Sequence, residues 1–263
     1  MSVRGWCRRL HDEGYLVAFA AVAVAGEFVG AVLALARVHA GVSAGTLTWP
    51  LTLAVSAATC WWVLRACGFA AAGPTAGWYV LLALGLRAAT RSLGAALLSG
   101  PLTAVAPLAA RALVLRLWGD APEASPTHPG PMRTLHERGY FVAVAGAALV
   151  GPLVSLLLTA VAVAGLSGGN LLVAGLVVVV ALGSTSLGAA VIGCWLALQL
   201  CGFARAKQTA LWLIPIYVGG GVATFVSAVD PTVPLVAGPV AARALALVGT
   251  SRRASAATEH TPS

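Results

Sequence analysis

The sequence predicts an all-α fold: a polytopic transmembrane helical bundle built from two tandem four-helix repeats, with about eight spans, or about six as the alternative. Three observations predict it. Hydrophobic residues make up 59% of the 263-residue chain and charged residues only 9%, against roughly 45–50% and about 25% in soluble globular proteins. The apolar residues run in continuous stretches of Ala, Leu and Val near the ~20 residues that a helix needs to cross hydrocarbon, and not in the ~10-residue alternating segments of a β-barrel. Two phrases also occur twice: Cys60-Trp61 and Cys67-Gly68-Phe69 return as Cys194-Trp195 and Cys201-Gly202-Phe203, and Leu10-His11 with Gly14-Tyr15 returns as Leu135-His136 with Gly139-Tyr140.

At the N-terminus, Arg4, Arg8 and Arg9 precede an apolar run that ends near Ala23-Val24-Ala25, the outline of a signal peptide. The same entry phrase recurs mid-chain, so the run reads as a retained span. Pro107-Leu-Ala-Ala-Arg111 likewise matches Pro239-Val-Ala-Ala-Arg243, and Trp78 matches Trp212, which extends the duplication over the whole chain. This divides it into a first membrane repeat, 1–118, a cytoplasmic linker, 119–133, a second membrane repeat, 134–250, and a disordered cytoplasmic tail, 251–263. The linker is rich in Pro and small residues. Apolar segments fall near 15–36, 50–71, 77–98 and 101–118, then near 140–163, 184–204, 209–228 and 234–250. Trp49-Pro50 and Gly73-Pro74 are expected to break the chain between helices, and Pro101 and Pro234 to start them.

Charge sets the expected topology. The net +8 rests on 15 Arg and a single Lys, and much of it flanks the apolar segments. Four crossings per repeat place Arg4, Arg8, Arg9, Arg133, Arg138, Arg252 and Arg253 on one side with the Arg205–Lys207 loop, the cytoplasm by the positive-inside rule. The repeats are then parallel, related by an axis along the membrane normal. Arg111 and Arg116 interrupt the fourth segment near its end, within reach of snorkelling; if that segment is interfacial, the repeats invert. The basic excess reads as topology and not as nucleic-acid binding. An Arg-rich, Lys-poor composition fits a bacterial cytoplasmic membrane.

The repeated motifs have packing and chemical readings. Cys60 and Cys67, seven residues apart, lie ~10.5 Å apart along a helix, too far to share one metal. The packing reading makes Cys and Gly small contacts between the second helices of the two repeats; redox or metal chemistry is the alternative. No metal or cofactor is called for. Trp49, Trp61, Trp62, Trp78, Trp195 and Trp212 read as an interfacial aromatic belt. His11 and His136 precede a span, where Gly turns the chain and Tyr anchors it; a paired proton or metal site is the other reading. Gly183-Ser-Thr-Ser-Leu-Gly188 is a candidate helix break, against a plain tilted helix or an outer loop.

Charges inside spans carry the most chemistry, since a buried ion needs a partner or a watery path. Glu27, Arg65, Arg87 and Arg91 form the candidate substrate-binding set, with more arginines than the one carboxylate neutralises. The second repeat replaces Arg65, Arg87 and Arg91 by Gln199, Gly221 and Phe225, whereas Arg111 and Arg243 occur in both and read as structural. The function expected is a carrier or permease that handles an anionic small molecule or lipid through this arginine-containing cavity. A membrane-embedded enzyme with Glu27 as acid, or an assembly subunit, are the alternatives; a structural ion-pair network is the non-functional reading. Expected partners are membrane lipids, with a partner membrane subunit or homo-oligomer under the assembly reading, and both termini face the cytoplasm.

Overall fold

The described residues fold into helices joined by short turns. The structure, a computed structural model, describes residues 2–40, 48–89, 93–118, 130–150, 187–227 and 237–248. Ten helices occupy them: α1 Val3–Asp12, α2 Tyr15–Ala40, α3 Thr48–Ala66, α4 Ala72–Ala89, α5 Leu93–Trp118, α6 Pro131–Glu137, α7 Tyr140–Val150, α8 Leu187–Leu200, α9 Ala206–Ser227 and α10 Ala237–Val248. Among the described residues, no single helix is long and apolar enough to cross a membrane. One pair, α1 with the Tyr15–Gly30 part of α2, passes by length and composition together, bent by 64°.

Several boundaries differ from the sequence reading, each for a local reason. Pro101 lies inside α5 and does not start it, because α5 begins at Leu93. Trp49-Pro50 and Gly73-Pro74 fall within the first turns of α3 and α4, where the amide that proline lacks has no intrahelical partner. The candidate break at Gly183–Gly188 lies outside the described residues except for Leu187 and Gly188, which begin α8; Pro234 lies outside them too.

The duplicated phrases are helix-end signals. Gly68 and Gly202 adopt φ of 86° and 81°. The amide of Phe69 reaches the Leu64 carbonyl at 2.9 Å and that of Gly68 the Arg65 carbonyl at 3.0 Å; Phe203 and Gly202 repeat the pattern on Leu198 and Gln199. This is the Schellman closure, in which a left-handed glycine caps carbonyls that the helix leaves unpaired. Gly14 and Gly139, both at φ 78°, turn α1 into α2 and α6 into α7. A Cβ there would lie 2.9 Å from the Phe69 ring and 2.8 Å from the Phe203 ring. Each glycine is thus fixed twice, by handedness and by the phenylalanine of the other phrase.

Packing explains why the first turns of α2 have no polar face. Leu16 to Ala21 are all buried: Leu16, Phe19 and Ala20 join α7, α8, α9 and α10 in one cluster, while Val17, Ala18 and Ala21 join Cys60, Val63 and Leu64 of α3 in another. A helical stretch covered on all sides must be apolar all round; further along α2, Val24, Phe28 and Val32 are exposed. The small-residue reading of the cysteines survives with a different partner, since Cys60 meets α2, the first long helix of its own half, and Cys194 clusters with α7.

The two halves exchange their short leading helices. Cys7 and Leu10 of α1 lean on the cluster of the second half, and Met132 of α6 on that of the first. The Cys67 thiol donates to the Met132 carbonyl, and the Cys201 thiol to the Cys7 carbonyl, each at 3.5 Å. Reciprocal contacts of this kind are the mark of a two-fold relation between the halves.

Replacing Gly139 by Ala is expected to cost about 1–2 kcal/mol for the left-handed backbone alone, with the Phe203 clash adding to it. The denaturation midpoint of the purified chain measures this, and Gly14→Ala should match it.

Candidate functional site

The sequence-derived set is not drawn together around a described cavity. Glu27 is half-buried on α2. Arg65, near the end of α3, is exposed with its guanidinium 5.9 Å from the Trp61 ring centroid; Arg87, in the last turn of α4, is exposed 4.4 Å over Trp49. Glu27 and Arg87 both have further partners. Arg91 lies outside the described residues. Two of the six tryptophans read as an interfacial belt therefore serve as platforms for arginines, an arrangement that a planar, weakly hydrated guanidinium favours.

Arg111 and Arg243 do not snorkel; they turn inward, each only 2% exposed. The Nε of Arg111 donates to the Glu13 carbonyl at 2.9 Å, and one terminal nitrogen donates to the Ala70 carbonyl at 2.7 Å and the Thr75 hydroxyl at 3.3 Å. Arg243 repeats this on the Arg138 carbonyl, the Ala204 carbonyl and the Thr209 hydroxyl at 2.9, 2.8 and 3.2 Å. Each guanidinium also lies over the phrase phenylalanine, 5.5 Å from Phe69 and 5.6 Å from Phe203. The carbonyls belong to turns between helices, where the backbone leaves acceptors without intrahelical donors. One residue beyond each Ala carbonyl the chain adopts a positive φ at a non-glycine, 57° at Ala71 and 64° at Arg205. The arginine holds that turn closed. These two residues are framework, as their presence in both halves implies.

The histidines meet at the centre. The His11 and His136 rings stack at a centroid distance of 4.0 Å and an interplanar angle of 9°. Phe203 abuts His11 edge-on at 5.1 Å, and Phe69 abuts His136 at 5.2 Å. The outer sides differ. His11 Nδ1 lies 2.9 Å from Asp12 and its Nε2 3.3 Å from the His136 carbonyl, whereas the Nδ1 of His136 is buried with no hydrogen-bond partner. Burial pushes the His136 pKa down from 6.5 to about 4, helped by His11 and Arg133 and opposed by Asp12. Parallel rings at stacking distance present faces and not lone pairs to each other, and no group of three or more metal-ligating side chains occurs among the described residues. The pair is a contact between halves.

A cavity of about 740 Å³ lies between α1 and α5, with Arg9, Glu13 and Arg116 on its polar side and Trp6, Ala109 and Leu113 among its apolar lining. Sequence reasoning counted Arg9 as flanking charge and Arg116 as a residue that interrupts the fourth segment within reach of snorkelling. No spacing in the sequence links them, because α1 and α5 are about a hundred residues apart and meet only in the fold. No protein-family model, curated protein or solved structure matches the chain.

Arg243→Lys is expected to lower stability by about 2–3 kcal/mol, because one ammonium cannot replace a guanidinium spanning two turns and a hydroxyl; denaturant titration measures it, and Arg111→Lys should behave alike. For His136, a folded pKa below the unfolded 6.5 means that the unfolded chain takes the proton first. Stability is therefore full above pH 6.5 and falls as the pH drops towards 4, by about 2 kcal/mol at pH 5 relative to pH 7.5. Unfolding at the two pH values checks this, and His136→Gln should remove that dependence.

Proposed function

We propose that this chain is an integral protein of a bacterial cytoplasmic membrane, two parallel four-helix repeats with both termini cytoplasmic, acting as a carrier or permease for an anionic small molecule or lipid. The membrane reading draws support from the outward faces. Trp61, Trp62, Leu81 and Leu84 in the first half, and Trp195, Leu196, Leu211 and Trp212 in the second, are exposed, whereas the buried polar groups include both framework arginines. Exposed apolar surface on this scale has no reason to face water. The bent α1–α2 pair fits a charged helix lying at the interface before a helix that enters the bilayer.

One observation carries the functional part: the cations that the duplication did not keep. A framework arginine appears twice, as Arg111 and Arg243 do. Arg65 and Arg87 stand opposite Gln199 and Gly221, and the cavity arginines Arg9 and Arg116 opposite Thr134 and Val248. Charge that packing does not require, confined to one half, is what recognition of an anion asks for. The exposure of Arg65 and Arg87 favours a second reading, an assembly subunit in which partner helices cover them.

Uptake of a labelled organic anion into proteoliposomes tests the carrier. Arg87→Gln in a folded protein is expected to lower uptake about ten-fold, or about 1.4 kcal/mol. Absence of uptake, together with a partner subunit lost from the Arg65→Gln and Arg87→Gln variants on co-purification, would replace the carrier with the assembly reading; product formation in detergent, abolished by Glu27→Gln, would replace it with the enzyme.

A further inference from the structure

We infer that the cavity between α1 and α5 binds an acidic phospholipid, its phosphodiester against Arg116 and Arg9 and an acyl chain along Ala109, Ala112 and Leu113. This rests on the membrane reading above. Three features of the cavity point to that ligand class. Its volume, about 740 Å³, is in the range of small-molecule sites, and its lining is divided between ionic groups and aliphatic or aromatic ones. A soluble anion has no use for the apolar part, and a neutral lipid none for the arginines. Its charge is also unbalanced. Arg9 forms an ion pair with Glu13, which leaves Arg116 as a lining cation with no carboxylate partner among the described residues. An anion entering the cavity meets Arg116 directly, and a second guanidinium at Arg9 whose charge Glu13 only offsets. Trp6 and Tyr15, also in the lining, have the amphipathic character of residues that settle at the headgroup level.

The second half supplies an internal control. Superposing the phrases by position, the lining residues Leu10, Tyr15, Ala109, Ala112, Leu113 and Leu115 all recur, as Leu135, Tyr140, Ala241, Ala244, Leu245 and Leu247. The residues that differ are the ones that give the cavity its chemistry: Trp6 becomes Pro131, Arg9 becomes Thr134, Glu13 becomes Arg138 and Arg116 becomes Val248. The second half forms the same corner with Thr134 and Val248 in the places of Arg9 and Arg116, so the fold does not need an arginine at either. Arg116 is exposed as well, and its replacement leaves the buried Arg111 clamp in place.

The test uses the full chain in bilayer nanodiscs of phosphatidylcholine with one fifth phosphatidylglycerol, followed by native mass spectrometry of the lipids that stay bound on release. Phosphatidylglycerol is expected to be retained over phosphatidylcholine at one site per chain. Arg116→Gln should reduce that preference about five-fold, the effect of one arginine near a charged membrane surface, with the denaturation midpoint unchanged. Competition with glycerol phosphate separates the two sources of a phosphate: displacement only by the lipid supports the site, and equal displacement by the soluble headgroup would sink it. Equal retention of both lipids in wild type and Arg116→Gln would also overturn it. Extraction of the native membrane with alkaline carbonate keeps the two proposals apart. A chain released without detergent refutes the membrane reading itself, whereas one that stays embedded while showing no lipid preference refutes only the site.

Discussion

The structure depends on a solution to one problem: where the carbonyl groups at helix ends find donors when most of the side chains around them are apolar. Each end leaves acceptors that the helix cannot satisfy, and an unpaired buried carbonyl costs on the order of 1–3 kcal/mol. Arg111 and Arg243 answer this with a planar fork of donors. From α5 and α10 they reach back to the turn after α1 or α6, the turn after α3 or α8, and the first turn of α4 or α9. The buried charge is tolerable because the peptide dipoles of several turns converge on it. Four segments of each half are tied at one point.

That knot also organises the contact between halves. Phe69 lies under Arg111, against Gly14, and edge-on to His136; Phe203 holds the corresponding place against Arg243, Gly139 and His11. The cap of one helix is thus the seat of the other half's histidine. Because the two leading helices cross over, neither α1 nor α6 packs only on the segment that it precedes, and the halves cannot be separated without exposing Cys7, Leu10 and Met132. The stacked histidines fill the place where twin residues meet. The symmetry is imperfect there: His11 has a carboxylate neighbour and His136 has none, so the two chemically identical rings sit in unequal environments.

Internal duplication also lets the chain act as its own comparison. What both halves keep is backbone geometry and its donors: the left-handed glycines, the phenylalanines beside them, the histidines, the threonine hydroxyls and the buried arginines. What they do not keep is the cavity cations Arg9 and Arg116 and the tryptophan-backed Arg65 and Arg87. Selection for folding acts on each half alike, because each must close the same turns, and so divergence collects where folding makes no demand. Function has room to settle on one half alone, and the arginine-bearing cavity and the Trp-backed arginines all belong to the first.

By itself the sequence determined the helical class, the duplication and the identity of the framework arginines. These are legible because a continuous apolar run, a repeated CGF phrase and a twice-kept Arg each reflect a local constraint, such as helix propensity, a positive φ or an unpaired carbonyl. The glycine turns at Gly14 and Gly139 belong with them. Helix starts were less legible: Pro101 reads as a beginning, but the helix around it already runs from Leu93. Only the tertiary structure decided that Arg111 points inward and does not snorkel, that Cys60 meets α2, that His11 stacks on His136, and that Arg9 and Arg116 share a cavity. The physical reason is range. Spacing along one helix fixes which residues share a face, but not which other helix will cover it; these contacts join different helices, and the stacking of His11 on His136 joins the two halves as well.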